Sequence, residues 1–416
     1  MITDAPSDPL AQRALNLIRQ GIVAADPAKA TASAMAEVLA DPPTGQGDWH
    51  VIALGKAARA MAAAALSALP KARALVITNA GNDAPLDRAE ILVSGHPVPD
   101  AAGEAAAKRV EALLRQTRPE DRVLALISGG GSAMLPAPVD GVSLTQKQQV
   151  NRLLLGSGAD IAQTNLIRQA LSRLKGGGWL RLSHAPVTAL ILSDVPDDDL
   201  RVIASGPTVA PIGTIAEAAD MARALGIWDD LPPAVQTALT RPEDRGSLPT
   251  ARNLLIGSNG QSVQAMIEAG AVDGGTALSG DVEACAQALV RAAQVAKPGQ
   301  ALVFGGETTV KLTGDGQGGR NQELALRFAR AAEQAGLTGD WVFAAIGSDG
   351  RDGPGEAAGG VVGPQTLARI AEAGVDLDAS LARNDSGPVL QIARGLVITG
   401  ATGTNVADLA VFIRAE

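Results

Sequence analysis

The sequence predicts an α/β protein of two domains, the first built on a parallel sheet. Three observations lead there. Short aliphatic runs alternate with helical stretches, beginning at WHVIALG (Trp49–Gly55) and continuing almost to the end. The glycine clusters and conspicuous polar residues come directly after those runs, where the loops beyond the carboxyl ends of parallel strands would lie. At 416 residues the chain also exceeds one ordinary core. A polar stretch around Arg-Pro-Glu-Asp-Arg-Gly places the division near Gly246, giving domains of 1–245 and 246–416.

Taken in order, Pro9 to Leu39 spaces its apolar residues helically (Leu15, Ile18, Ile22, then Met35, Val38), with a break at Asp26-Pro27. Two helices are expected, ending before Asp41-Pro42-Pro43. WHVIALG reads as a strand, followed by an Ala-rich helix to Leu69 and the strands RALVIT and EILVSG. A helix covers Ala101–Gln116, and RVLALI leads into Ser128-Gly-Gly-Gly-Ser132. A helix holding Asn165 and Arg168 precedes Lys175-Gly-Gly-Gly178, and VTALIL ends at Ser193-Asp194. Beyond Gly246 the rhythm resumes with RNLLIGSN, a helix, and LVFGGETTV, which is expected to break at Gly305-Gly306. The helix from Arg320, the strand WVFAAIG, the strand LVITG and a closing helix complete the reading.

Composition narrows the function. Hydrophobic residues form 46% of the chain and charged residues 19%, so the chain is globular rather than disordered. A net charge of −9 without a basic block argues against nucleic acid but still permits a locally positive site. The single cysteine, Cys285, excludes an intrachain disulfide framework and a cysteine-based zinc cluster. No apolar run is long enough to span a bilayer, and the first residues lack the pattern of a signal peptide. A soluble, cytoplasmic protein with no membrane partner is expected; its oligomeric state is left open.

The stretch Leu302–Leu326 organises the functional reading. Its segment Gly314–Gly319 precedes Arg320, Asn321 and Gln322 at a helix start. Bare backbone, a helix N-terminus and a guanidinium fork together describe an anion site. Lys56 opens a helix after a strand, and Gly129, Gly130 and Gly131 between two serine hydroxyls suit a phosphate cradle without being a Walker A loop. Asp194 at a strand's carboxyl end is placed to hold Mg²⁺ or take a hydroxyl proton, and Asp197–Asp199 could join it. His96 belongs to a proline-shaped loop as readily as to acid–base work. Asp349 and Asp352 lie in a glycine-rich turn. Gly314, Gly316 and Gly319 also satisfy G-x-G-x-x-G, the fingerprint of a nicotinamide-dependent dehydrogenase. It is discounted because Arg320-Asn321 would crowd the packing that the fingerprint needs, and because the acid Asp349 comes about ten residues later than the usual spacing of roughly twenty.

Read as a set, the motifs resemble the class II glycerate kinases, glycerate 2-kinases of the MOFRL family whose members are also labelled hydroxypyruvate reductases. The resemblance spans nearly the whole chain. It rests on LGKAA, GHPVPD, SGGGSA, KGGG, LSDVPDDDLRVIASGPT, GGETTV, GGRNQELAL, GSDGRDGP and TGATGTNVADL. It implies a Rossmann-like N-terminal domain, a smaller α/β C-terminal domain of MOFRL type, and an active site in the cleft between them. It further implies ATP- and Mg²⁺-dependent phosphorylation of D-glycerate to 2-phosphoglycerate, with the family's functional lysine and arginine at Lys56 and Arg320. The expected assignments are Lys56, Arg320 and Asp194 as catalytic, with Asp194 and Glu307 for the metal. Ser128, Gly129, Gly130, Gly131, Ser132, Lys175, Asn321, Asp349 and Thr404 are expected around the nucleotide. The alternative is an NAD(P)H-dependent hydroxypyruvate reductase. Departures such as Gly387-Pro388-Val389 after Asp385-Ser386, and Ala401 for a usual proline, remove no charged group.

Overall fold

In a computed structural model, which describes residues 8–195, 198–242 and 246–416, the chain forms two compact units. One comprises Pro27–Ile256; the other joins residues up to Asp26 with Gly257–Glu416. Among the described residues, no helix is long and apolar enough to cross a membrane.

The Pro27–Ile256 unit holds β1 (Trp49–Leu54), β2 (Arg73–Thr78), β3 (Ala89–Val93), β4 (Arg122–Ile127), β5 (Val187–Leu192) and β6 (Arg252–Gly257), in the order β3-β2-β1-β4-β5-β6. Strands β1 to β5 pair in parallel. Their near-continuous aliphatic runs result from burial on both faces. Ile52, Leu54, Ile127 and Ile191 pack on one side with Trp179 and the helix Ala101–Gln116. Val51, Ala53, Leu126 and Leu190 pack on the other with Met61 and Leu66 of the helix Ala58–Ala68. Leu54 lies opposite both Ile77 and Ile127, and Ile127 opposite Ile191, so these strands end at one edge. The direction of strand addition reverses between β1 and β4, where sheets of this kind bind ligands. The helices Leu144–Gly156, Ile161–Ala170, Ile215–Ala224 and Pro233–Thr240 form a separate apolar cluster.

The other unit contains β7 (Val272–Asp273), β8 (Leu278–Asp281), β9 (Ala301–Thr309), β10 (Trp341–Gly347), β11 (Gly359–Val362), β12 (Leu396–Val397) and β13 (Asp408–Arg414). The order is β12-β11-β10-β13-β9-β7, with β8 also on β9. This sheet is mixed: β9, β10, β11, β12 and β13 pair antiparallel, while β7 and β8 lie parallel to β9. The expected closing helix is β13 instead, a wholly apolar run from Leu409 to Ile413 inserted between β9 and β10. Strand β9 does not break at its glycines. A Cβ at Gly305 would stand 2.0 Å from Asn259 Oδ1, so glycine here permits close approach rather than a turn.

The two N-terminal helices form as expected, Pro9–Ala24 and Pro27–Val38, but they serve different units. Leu15 and Ile18 of the first pack with Val303, Val342 and Val411 of the second sheet. The division thus differs from 1–245 and 246–416 at both ends, since β6 beyond Gly246 completes the first sheet.

Candidate active site

Two motifs are laced together at the carboxyl edge of the first sheet. After β1, Gly55 adopts φ +116, and a Cβ there would lie 2.4 Å from the Ser128 carbonyl oxygen. Lys56 N–H donates to Gly129 O at 2.9 Å. The Ser128 hydroxyl donates to Leu54 O and accepts from Ala57 N–H. Ser128 is therefore a buried brace for the turn that leads from Lys56 into the helix Ala58–Ala68, and its hydroxyl is committed to protein partners. Gly130 adopts φ +84 with the His96 imidazole close against it. Among the described residues, nothing accepts a hydrogen bond from the backbone N–H of Gly129, Gly130, Gly131 or Ser132. Consecutive donors in a mostly buried loop are what an anionic ligand would satisfy.

Asp194 comes after β5 at the same edge. Burial pushes its carboxyl up to about 6, against the opposing pull of the Lys56 ammonium. Lys175 is 4% exposed and its ammonium donates to Ser132 O at 2.8 Å, at the back of the same loop. Burial holds the Lys175 pKa well below the lysine range, with Lys147 and Arg168 adding repulsion. Asp197 lies outside the described residues, and Asp199 is taken by Arg201 at 2.8 Å.

In the second unit, Arg320 opens the helix Arg320–Gln334. Its Nε and Nη2 grip Asp408 side-on at 2.6 and 3.0 Å, and Nη1 donates to Glu307 at 2.5 Å. Burial works against its charge, but Asp408 and then Glu307 outweigh that, so its pKa is raised. Three of its five N–H donors are used by these bonds.

Along Gly314–Gly319, where an anion site is expected, three backbone donors are taken by the protein itself. Gly314 N–H donates to Asn384 Oδ1, Gly316 N–H to Arg383 O, and Gln317 N–H to Asp385 Oδ1. The helix start is capped by the buried Asp352 carboxylate, which accepts from Asn321 N–H at 3.1 Å and Gln322 N–H at 2.8 Å. Burial raises Asp352 to about 6, Asn321 N–H pulls it down, and the Asp408 charge adds to the rise. The glycines are required by close packing: a Cβ at Gly316 would meet Arg383 O at 2.5 Å. The dinucleotide fingerprint loses its structural context as well. Its loop leads from β9 toward β10, and antiparallel β13 lies between those strands.

Of the remaining expected residues, Asn321 is buried and directs its amide nitrogen to Asp352 at 3.3 Å. Thr404 donates its hydroxyl to Ala25 O at 2.6 Å. Half-buried Asp349 accepts from Arg351 N–H within the turn after β10 and adds repulsion at Asp408. Among the described residues, no group of three or more His, Cys, Asp and Glu side chains gathers to hold a metal. A Mg²⁺ ion held by one or two carboxylates and substrate phosphates needs no such cage. Asp408 escaped the sequence reading, although an acid heading the apolar run DLAVFI was a signal for it. Ser205 escaped too, because its partners Ser132 and Asn165 are distant in sequence.

Comparison with known proteins places this geometry. Residues 13–240 match the family described as "Domain of unknown function (DUF4147)", and residues 300–408 match the MOFRL family. The chain is 35% identical to the glycerate 2-kinase of Pyrococcus horikoshii over 96% of each chain. It is 38% identical to an Agrobacterium vitis protein provisionally named a hydroxypyruvate reductase, covering 88% of this chain and 87% of that one. The crystal structure of a glycerate kinase from Thermotoga maritima superposes with a TM-score of 0.84 at 34% identity, covering 96% of this chain and 98% of that one. With both family domains in sequence order and full-length likeness to such enzymes, the chain belongs to the class II glycerate kinases.

Proposed function

We propose that this protein transfers the γ-phosphoryl group of ATP to the 2-hydroxyl of D-glycerate, yielding 2-phosphoglycerate and ADP. The observation that carries the reading is the run of backbone donors from Gly129 to Ser132 that find no acceptor among the described residues, between the strand ends that bear Lys56 and Asp194. Phosphoryl transfer needs clamped phosphates, neutralised charge and an aligned hydroxyl, with little covalent help. The loop supplies the clamp. Lys56 and Arg320 neutralise the transferred group or anchor the glycerate carboxylate, Arg320 through the donors that Asp408 and Glu307 leave. Asp194, ionised at neutral pH with its pKa near 6, either accepts the hydroxyl proton or holds the metal. Mg²⁺, when bound, neutralises phosphate charge, with Asp194 and Glu307 as the carboxylates offered to it. A cytoplasmic enzyme acting on small molecules completes this reading.

An ADP-release assay with D-glycerate, ATP and Mg²⁺, run beside hydroxypyruvate with NADH or NADPH, tests it. Glycerate-dependent ADP without nicotinamide oxidation is expected, with the product phosphate at C2 by NMR. Nicotinamide oxidation without ADP release would establish the reductase instead.

A further inference from the structure

Four segments far apart in sequence meet behind the glycine loop. Ser132 Oγ lies 2.8 Å from Ser205 Oγ, and Ser205 Oγ lies 2.7 Å from Asn165 Oδ1. The Asn165 amide is oriented by its nitrogen, which donates to Ile161 O one helical turn back. Its oxygen is thus an acceptor, and the one proton of Ser205 goes there. Ser132 must then be the donor in the serine pair. The Ser132 carbonyl is held as well, by the Lys175 ammonium. With hydroxyl proton and carbonyl both committed, the donor that Ser132 can offer a ligand is its backbone N–H.

The segment that delivers Ser205 is strained. Ala204, Ser205 and Gly206 adopt φ of 49, 61 and 65, a left-handed run that side chains other than glycine rarely enter. It is held by Gly176 N–H and Gln169 Nε2 on Ser205 O, and by Gly177 N–H on Gly206 O. The glycine repeat after Lys175 therefore braces a strained turn, and that turn in turn grips the loop.

We propose that Ser205, with Asn165 and Lys175 beside it, is a positioning residue that fixes Ser132 so that the loop's backbone N–H groups receive the nucleotide phosphates. This rests on the kinase reading above and deepens it. Lys175 acts here through the Ser132 carbonyl rather than by touching phosphate.

The test uses S205A, S205G, S132A and the S132A/S205A double variant of the full chain. ATP affinity is titrated at equilibrium, and kcat and KM are measured for each substrate. Each single variant is expected to lose about 10-fold or more in ATP affinity or kcat/KM for ATP, with KM for glycerate unmoved. Because the two hydroxyls act as one unit, the double variant should be little worse than either single one. S205G separates the causes, since glycine relieves the backbone strain yet lacks the hydroxyl. Wild-type behaviour in S205G, or an unaffected S132A, would overturn the positioning role. So would losses that multiply in the double variant. If substitution at Ser205 prevents folding, S132A at the partly exposed end of the pair decides alone. A wild-type chain that neither binds ATP nor releases ADP would overturn the kinase reading and this inference with it.

Discussion

Arg320 shows at the scale of one residue how charge and geometry separate. Lysine at 320 would keep the charge but could not hold Asp408 bidentately while reaching Glu307. R320K is therefore expected to lower kcat/KM by about 10²-fold or more, measured by ADP release. Asp194 carries a pH dependence. In the proposed mechanism its active form is the carboxylate, so the rate should fall as pH drops through about 6. D194N should remove that limb from the profile and cost about 10²–10³ in kcat; an unchanged profile would take Asp194 out of the chemistry. Lys147 makes a prediction about stability. Burial, helped by Arg168 and Arg173, lowers its pKa from 10.5 to about 7. Between those pH values the unfolded chain binds more protons, so wild-type stability gains from rising pH through this group. K147M should raise Tm at pH 7 and change it much less at pH 10. Leu171 O keeps a donor in either protein, Val139 N–H.

At the scale of elements, glycine-rich segments prove to have opposite meanings. Along Gly314–Gly319 three backbone donors, those of Gly314, Gly316 and Gln317, pair with residues 384, 383 and 385, and the bare Cα atoms let two loops pack. Along Gly129–Gly131 the donors face no protein acceptor among the described residues. Composition cannot separate the two cases, because both need a missing Cβ. Strand β9 is a third case, where glycine admits a neighbouring amide. The Asn259 nitrogen donates to Val406 O and Asp408 O, so Asn259 fixes the strand end that carries the arginine's partner. G305A should push Asn259 aside and destabilise the protein by about 1–3 kcal/mol, visible as a lowered Tm. An unchanged Tm would show that Asn259 yields without cost.

Across the whole molecule, the first helix is the element whose allegiance matters. Ile18 is fully buried against the second sheet, although the next helix in sequence covers the first sheet. I18A should cost about 2–5 kcal/mol. Hydrogen exchange would locate the loss: amides of β9, β10 and β13 should lose protection while those of β1, β4 and β5 keep theirs. Equal loss in both sets would mean that the units unfold as one.

The sequence by itself determined the α/β class, the parallel first sheet, both N-terminal helices and the family. Each of these comes from local periodicity or from ordered motifs read along the chain. That Lys56, Asp194 and the SGGGS loop come to one edge of the sheet was legible for the same reason, since parallel strands carry their succeeding residues there. The tertiary structure alone decided strand order and direction in the second sheet, which the alternation of strands and helices leaves open. It alone decided that β13 is a strand, because an apolar run takes its conformation from the neighbours it is inserted between. It also decided which polar groups are taken by protein partners. Arg320 turned out to be paired, Ser128 committed to a turn, and the helix start at Arg320 capped by Asp352, since hydrogen-bond partners come from segments tens to hundreds of residues away.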